Sequence, residues 1–328
     1  MEQVTQSRQI LRLAVPAFLT LVVEPLFLLA DSAIIGHLGT DQLAGLGIAS
    51  TVLLTAAGLF VFLAYGTTAA VSRLVGAGRV GRAASAGMDG LYLAVGLGVL
   101  VAAALGLLGP QLTGLFDASR AAQTHATTYL RISAVGLPAM LSVLAVTGVL
   151  RGLQDTRTPL VVSVAGFSSN IVLNLVLVYG AGMGIPGSAL GTVIAQLGMT
   201  TALTIVLVRL ARRHGARLSP HPLGVLSSAR AGIPLLIRTV SLRLILLLTV
   251  WVAASLGDVT LAAHQVAFTV WNLLTFALDA LAIAAQALTG RSLGAGDPEG
   301  AQSATRLMVR WGVLGGLVLG LVLLAVTP

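Results

Sequence analysis

The sequence predicts an all-α polytopic membrane protein, and three observations predict it. The 328 residues have a mean hydropathy of +0.97 and only 9 % are charged, where a soluble domain carries about 25 %. Nine apolar runs long enough to cross a bilayer follow one another, at about 10–35, 46–70, 87–108, 129–150, 159–179, 187–208, 232–255, 260–288 and 306–327. The last three of these runs repeat the first three.

The first run, Ile10 to Ile35, holds Glu24, Pro25 and Asp31. Acids are expensive at membrane depth and mark ion or substrate paths. Glu24 and Asp31 lie seven residues apart, which places them on one helix face, about 10 Å from each other. Pro25 lacks an N–H and frees the carbonyl of Leu21, so a kink is expected between the two acids. Asp31 is the stronger candidate for carrying an ion; Glu24 reads equally as a paired acid.

All nineteen basic residues are arginines, and they alternate by loop. Fifteen fall before the first run or in the loops after the second, fourth, sixth and eighth, against two, Arg120 and Arg131, in the intervening loops. That asymmetry puts the N-terminus in the cytoplasm. Arg238 and Arg243 fall inside the seventh run. In a soluble protein a net charge of +8 would suggest nucleic acid; here the arginines read as topology signals, and no nucleic acid is expected. Cysteine is absent, which excludes disulfides, thiolate metal sites and cysteine nucleophiles. The N-terminus imitates a signal peptide, but the run is too long and too acidic for cleavage.

Shifting the sequence by 218 residues aligns Pro16 with Pro234, and Leu38, Gly39, Leu43 and Ala44 with Leu256, Gly257, Leu261 and Ala262. It also aligns Arg73, Gly76, Ala77 and Gly78 with Arg291, Gly294, Ala295 and Gly296. Both copies start on the same side, so the repeat is parallel, with its axis along the membrane normal. The expected organisation is a six-helix bundle at 1–208, a cytoplasmic linker at 209–231, and the first three helices of a second bundle at 232–328. Because Pro110 maps onto Pro328, the chain is expected to be part of a twelve-span protein; a nine-span protein would leave the second bundle half built.

Other polar residues at depth are candidates for a path or for interhelical glue. Asn170 and Asn174 stand at i and i+4 on the fifth run, as do Thr192 and Gln196 on the sixth. Asp279 in the eighth run is the expected partner of Arg238 and Arg243, either as a static ion pair or as one that substrate or a proton opens. His264 reads as interfacial. Gly76-Ala-Gly-Arg-Val-Gly81 fits a G-x-G-x-x-G pattern but follows a spanning helix, so it is a loop. Gly312, Gly316 and Gly320 give small-xxx-small spacing on the ninth run. No zinc-protease, serine-hydrolase or nucleotide-binding motif is present.

The run Glu24-Pro-Leu-Phe-Leu-Leu-Ala-Asp31 leading to Gly36-His-Leu-Gly39 resembles the first helix of the MATE multidrug exporters. Arg151-Gly-Leu-Gln-Asp-Thr-Arg-Thr-Pro159 resembles that family's loop between helices 4 and 5. Asn170-Ile-Val-Leu-Asn174, the Gly-Ile-Pro-Gly-Ser-Ala stretch at 184–189, and Ile237-Arg-Thr239 are similar to its DinF-like branch. The resemblance implies a two-bundle fold, with six and three helices present of an expected six and six. It also implies a secondary exporter of small organic, often cationic, compounds against inward H⁺ or Na⁺. The location implied is the bacterial cytoplasmic membrane, with no cofactor beyond the coupling ion and no obligate protein partner. Asp31 would be the cation-coupled carboxylate, with Asn170 and Asn174 as polar neighbours that could also serve Na⁺. Glu24, Thr192, Gln196, Arg238, Arg243 and Asp279 would be cavity candidates. Some family members carry an acid where Asn174 stands, which here argues against a shared-proton carboxylate pair. H⁺ coupling needs a buried acid able to hold a proton near neutral pH. Alternatives are a lipid-linked flippase of the same superfamily, an inactive fragment, or an intramembrane hydrolase. The last would need Asp31 and Asp279 within hydrogen-bond range.

Overall fold

A computed structural model describes the backbone of residues 2–326; the side chains of 2–6, 258, 273, 322, 323, 325 and 326 are not described. Thr327 and Pro328, where the ninth run and the repeat were expected to end, lie outside the described residues. The first copy consists of α1 (Glu2–Gly36), α2 (Thr40–Leu59), α3 (Phe62–Gly76), α4 (Val80–Thr113), α5 (Arg120–Ala134), α6 (Leu137–Gly152), α7 (Arg157–Asn174) and α8 (Ile185–Arg213). The second copy supplies α9 (Pro222–Ser255), α10 (Asp258–Gly294) and α11 (Pro298–Val326). In bilayer hydrocarbon every backbone polar group must be satisfied within its own segment, which is why apolar runs of this length become helices. Eight helical segments are long and apolar enough to span a membrane, and α5 with α6, bent by 54° at their junction, makes a ninth.

Helix ends obey the repeat. The span Thr40–Gly76 and α10, Asp258–Gly294, are separated by the 218-residue shift. At their starts Gly39 and Gly257 have φ of 147° and 102°, and just past their ends Gly78 and Gly296 have φ of 72° and 74°. Such angles favour glycine, so the matched glycines meet the same backbone demand twice. The copies differ at Phe60–Val61, where α2 and α3 part while α10 runs on.

The expected linker at 209–231 is much shorter. α8 continues to Arg213 and α9 begins at Pro222, because arginines extend their charged ends from helix termini towards water instead of ending the helix. Arg230 is therefore helical. What remains is tied to α4: Arg217 N–H donates to Ser85 Oγ at 3.2 Å, Tyr92 donates to the Leu218 carbonyl at 3.1 Å, and His221 N–H donates to Asp89 Oδ1 at 2.9 Å.

The two bundles also exchange helix halves at this end. Ile10, Leu13 and Ala14 of α1 pack against Ala284 and Ala287 of α10 and Ala304 and Met308 of α11. Reciprocally, Leu235 and Leu236 of α9 pack against the first-bundle cluster of Phe62, Leu63, Ala94, Leu141 and Ala145. The outer half of α1, from Phe27 to Ile35, returns to the first bundle, where Phe27 stacks on Phe167 of α7 at 4.9 Å. A boundary at residue 208 thus divides the sequence but not the packing. Between the bundles α3 crosses α10 with no side chain intervening: a Cβ on Gly76 would strike the Arg291 carbonyl, and one on Gly294 would strike the Arg73 carbonyl.

Candidate functional site

Asp31 is 2 % exposed, one helical turn before the end of α1. Three neutral groups donate to its carboxylate. Asn174 Nδ2 on α7 lies 2.6 Å from Oδ1, Ser188 Oγ on α8 lies 2.9 Å from the same oxygen, and Tyr129 Oη on α5 lies 3.4 Å from Oδ2. Among the described residues no cationic side chain pairs with it.

The backbone around this cluster departs from regular helix. Directly after Asn174 the chain makes a π-helical turn, Leu175–Gly180, the kind of local widening found at functional positions. Its wider turn meets α8 closely, since a Cβ on Gly187 would lie 2.8 Å from the Leu177 backbone. Gly191, one turn beyond Gly187, leaves room for Asn174, whose Oδ1 would lie 2.6 Å from a Cβ there. Tyr179, within the π turn, donates to the Ile34 carbonyl and ties α7 to the end of α1.

One turn deeper, Asn170 Nδ2 donates to Thr192 Oγ1 at 3.1 Å, and that hydroxyl donates to the Ser188 carbonyl at 3.1 Å. Asn170 is thus a neighbour of the Asp31 cluster and not a direct partner of the carboxylate. Gln196 continues the same face of α8. Among the described residues the buried acceptors Asn174 Oδ1, Asn170 Oδ1 and Gln196 Oε1 have no hydrogen-bond partner. A run of unsatisfied oxygens descending from a buried carboxylate can take protons, water or a small cation.

The remaining candidates divide differently. Glu24 is exposed and does not join Asp31; between the two levels α1 leaves the first bundle for α10 and α11, so a shared helix face does not give a shared environment. Pro25 lies inside α1 without ending it. Among the described residues Asp279 does not make the expected ion pair with Arg238 or Arg243; instead Tyr65 Oη on α3 donates to Asp279 Oδ2 at 3.1 Å, a contact that joins the bundles. The charges of Arg151, which is buried on α6, and Arg238 are close enough to act on that pair. Arg243 instead reaches α2, its Nη2 2.7 Å from where a Cβ on Gly58 would be, and the missing side chain there makes room for the guanidinium. Asp31 and Asp279 bond to separate partners in separate places, which removes the hydrolase dyad. His264 stacks on Phe268 at 6.0 Å. Among the described residues no three His, Cys, Asp or Glu side chains come together.

Sequence reasoning missed Ser188 and Tyr129. Ser188 had a signal, standing four residues before Thr192 and eight before Gln196 on one stripe of α8. Tyr129 had none, since its approach depends on how α5 leans over α1.

A family model described as MatE matches residues 16–176 and 234–328. Protein DETOXIFICATION 44, chloroplastic, of Arabidopsis thaliana is 32% identical over 339 residues, covering 96% of this chain and 62% of that protein. The DNA damage-inducible protein F of Escherichia coli (strain K12) is 31% identical over 304 residues, covering 89% and 65%. A crystal structure of a MATE protein in the bent conformation superposes with a TM-score of 0.87 at 23% identity, covering 95% of this chain and 71% of that one. The chain spans about three-fifths of the length of the curated relatives it matches. With the family model covering both copies of the repeat and the helices following the solved fold, the chain is a multi-pass membrane protein that belongs to the MatE family.

Proposed function

We propose that the chain forms the ion-binding bundle and part of the second bundle of a secondary multidrug exporter, and that Asp31 exchanges H⁺ or Na⁺ as the bundles alternate. The observation that carries this is a carboxylate buried among three neutral donors with no counter-cation. A buried carboxylate without a counter-charge is costly even when hydrogen-bonded, and a proton or a metal cation relieves that cost. A proton would leave the carboxyl neutral. Sodium would draw on the carboxylate and the unsatisfied amide oxygens of Asn170 and Asn174, hard oxygen donors of the kind such an ion takes. Either cation changes the charge at the outer end of α1, the helix whose other end packs on α10 and α11. Ion binding and bundle arrangement are thereby linked through one helix. The arginine-rich face is the cytoplasmic one and the membrane is the cell membrane. The substrates are small organic molecules, as the names of multidrug-resistance relatives in bacteria suggest.

The test is Asp31→Asn in proteoliposomes, following dye efflux under a proton gradient or a sodium gradient, with radioactive sodium binding measured in detergent. Loss of gradient-driven efflux and of any sodium binding is expected. A variant that pumps and binds like the parent under both gradients would overturn the assignment.

A further inference from the structure

The N-terminal ends of α1 and α7 border an open groove of about 640 Å³, lined by Arg8, Gln9, Leu11, Arg12 and Arg157. That volume suits a small-molecule group, since such sites run to roughly 300–1,000 Å³. We propose that this groove binds the phosphodiester headgroup of an anionic phospholipid, such as phosphatidylglycerol, from the leaflet on the arginine-rich side.

Charge argues first. Arg8 and Arg12 stand at i and i+4 on α1, where like charges oppose helix formation, and Arg157 on α7 adds a third positive group. Among the described residues none of the three guanidinium groups has a hydrogen bond or an ion pair. Asp155, the nearby acid, is engaged elsewhere: Oδ1 accepts the Arg157 and Thr158 N–H groups and Oδ2 accepts the Thr158 hydroxyl. Its negative charge caps α7 and leaves the groove positive. Planar guanidinium forks match phosphate oxygens in pairs.

Apolar surface then argues for a lipid over free phosphate. Leu11 lines the groove, and Leu11, Val15 and Leu19 are exposed at four-residue intervals along α1. On α7 Val161 and Val164 are exposed likewise. Both helices begin their membrane spans at the groove, at Ser7 and Arg157. A phosphate held there hangs its acyl chains along apolar stripes that descend into the bilayer. Basic clefts between spanning helices at the membrane surface recognise anionic headgroups by the same means.

The reconstituted chain would be extracted gently, and its retained phosphatidylglycerol and phosphatidylcholine counted by native mass spectrometry. Retention of phosphatidylglycerol roughly tenfold over phosphatidylcholine is expected, a preference that R8Q/R12Q/R157Q abolishes. R212Q/R213Q, at the end of α8, should keep it. R157Q alone, at an exposed position, should lose about a third to a half of the preference in logarithmic terms, which keeps the test usable should the triple variant fail to fold. Equal retention of the two lipids, a preference undiminished in R157Q, one that survives the triple variant, or full displacement by inorganic phosphate would each overturn the proposal. Asp31→Asn should leave lipid retention unchanged, so this result and the transport result fail independently.

Discussion

Asn174 and Asn170 look alike in the chain, four residues apart, yet only Asn174 touches the carboxylate. Asn174→Ala is therefore expected to remove a hydrogen bond to a charged group, worth about 1.5–3 kcal/mol, and Asn170→Ala a neutral one worth about 0.5–1.5 kcal/mol. Thermal unfolding under conditions where the carboxyl is ionised, with sodium present, should rank the two in that order. Gly191→Ala should imitate Asn174→Ala, because its new methyl would sit 2.6 Å from the Asn174 amide oxygen. Much of this site was legible from Asp31 alone: an acid in the middle of an apolar run has to be answered by polar groups at the same depth. The sequence offered Asn170, Asn174, Thr192 and Gln196, and the structure places all four along one descent from Asp31. The level at which each meets the carboxylate was not legible, because it depends on the π-helical turn after Asn174 and on the tilt of α5. Neither leaves a pattern in residue spacing.

The crossing of α3 and α10 is set by Gly76 and Gly294, each facing a backbone carbonyl of the opposite helix. Gly294→Leu would drive a side chain into the Arg73 carbonyl, which cannot swing aside as a side chain can. Overpacking of this kind costs about 1–3 kcal/mol, and spin labels on the ends of α3 and α10 should report a longer separation. Gly312→Ala on α11 meets nothing within 4 Å and should leave that separation unchanged while stabilising the helix by about 0.4–1 kcal/mol. The positions of helix ends were readable wherever the repeat placed a glycine, as at Gly39 with Gly257 and Gly78 with Gly296, since only glycine takes those angles cheaply. The linker was misread for a physical reason. Arg209, Arg212 and Arg213 look like loop by composition, but they are the last turns of α8, where cations also offset the helix dipole.

The bundles meet mainly at the arginine-rich end, through the glycine crossing, the exchanged halves of α1 and α9, and the Tyr65 to Asp279 hydrogen bond. Tyr65→Phe removes that bond to a carboxylate, and about 1.5–3 kcal/mol of preference for the joined arrangement is expected to go with it. Labelling of a cysteine introduced beside Tyr65 should then speed up relative to the parent. The two-copy plan was visible in the 218-residue shift because a parallel repeat must reproduce its own helix ends. The bridging by α1 was not, since an alanine-rich seam such as Ala14, Ala17, Ala284 and Ala287 reads as ordinary lipid-facing helix. That seam bears on how the molecule is made. Residues near Ile10 leave the ribosome on the order of tens of seconds before their partners near Ala284 and Ala304 at ordinary synthesis rates. Until then this stretch of α1 waits in the bilayer with its small-residue face unclaimed, available to any neighbour or chaperone that can cover it.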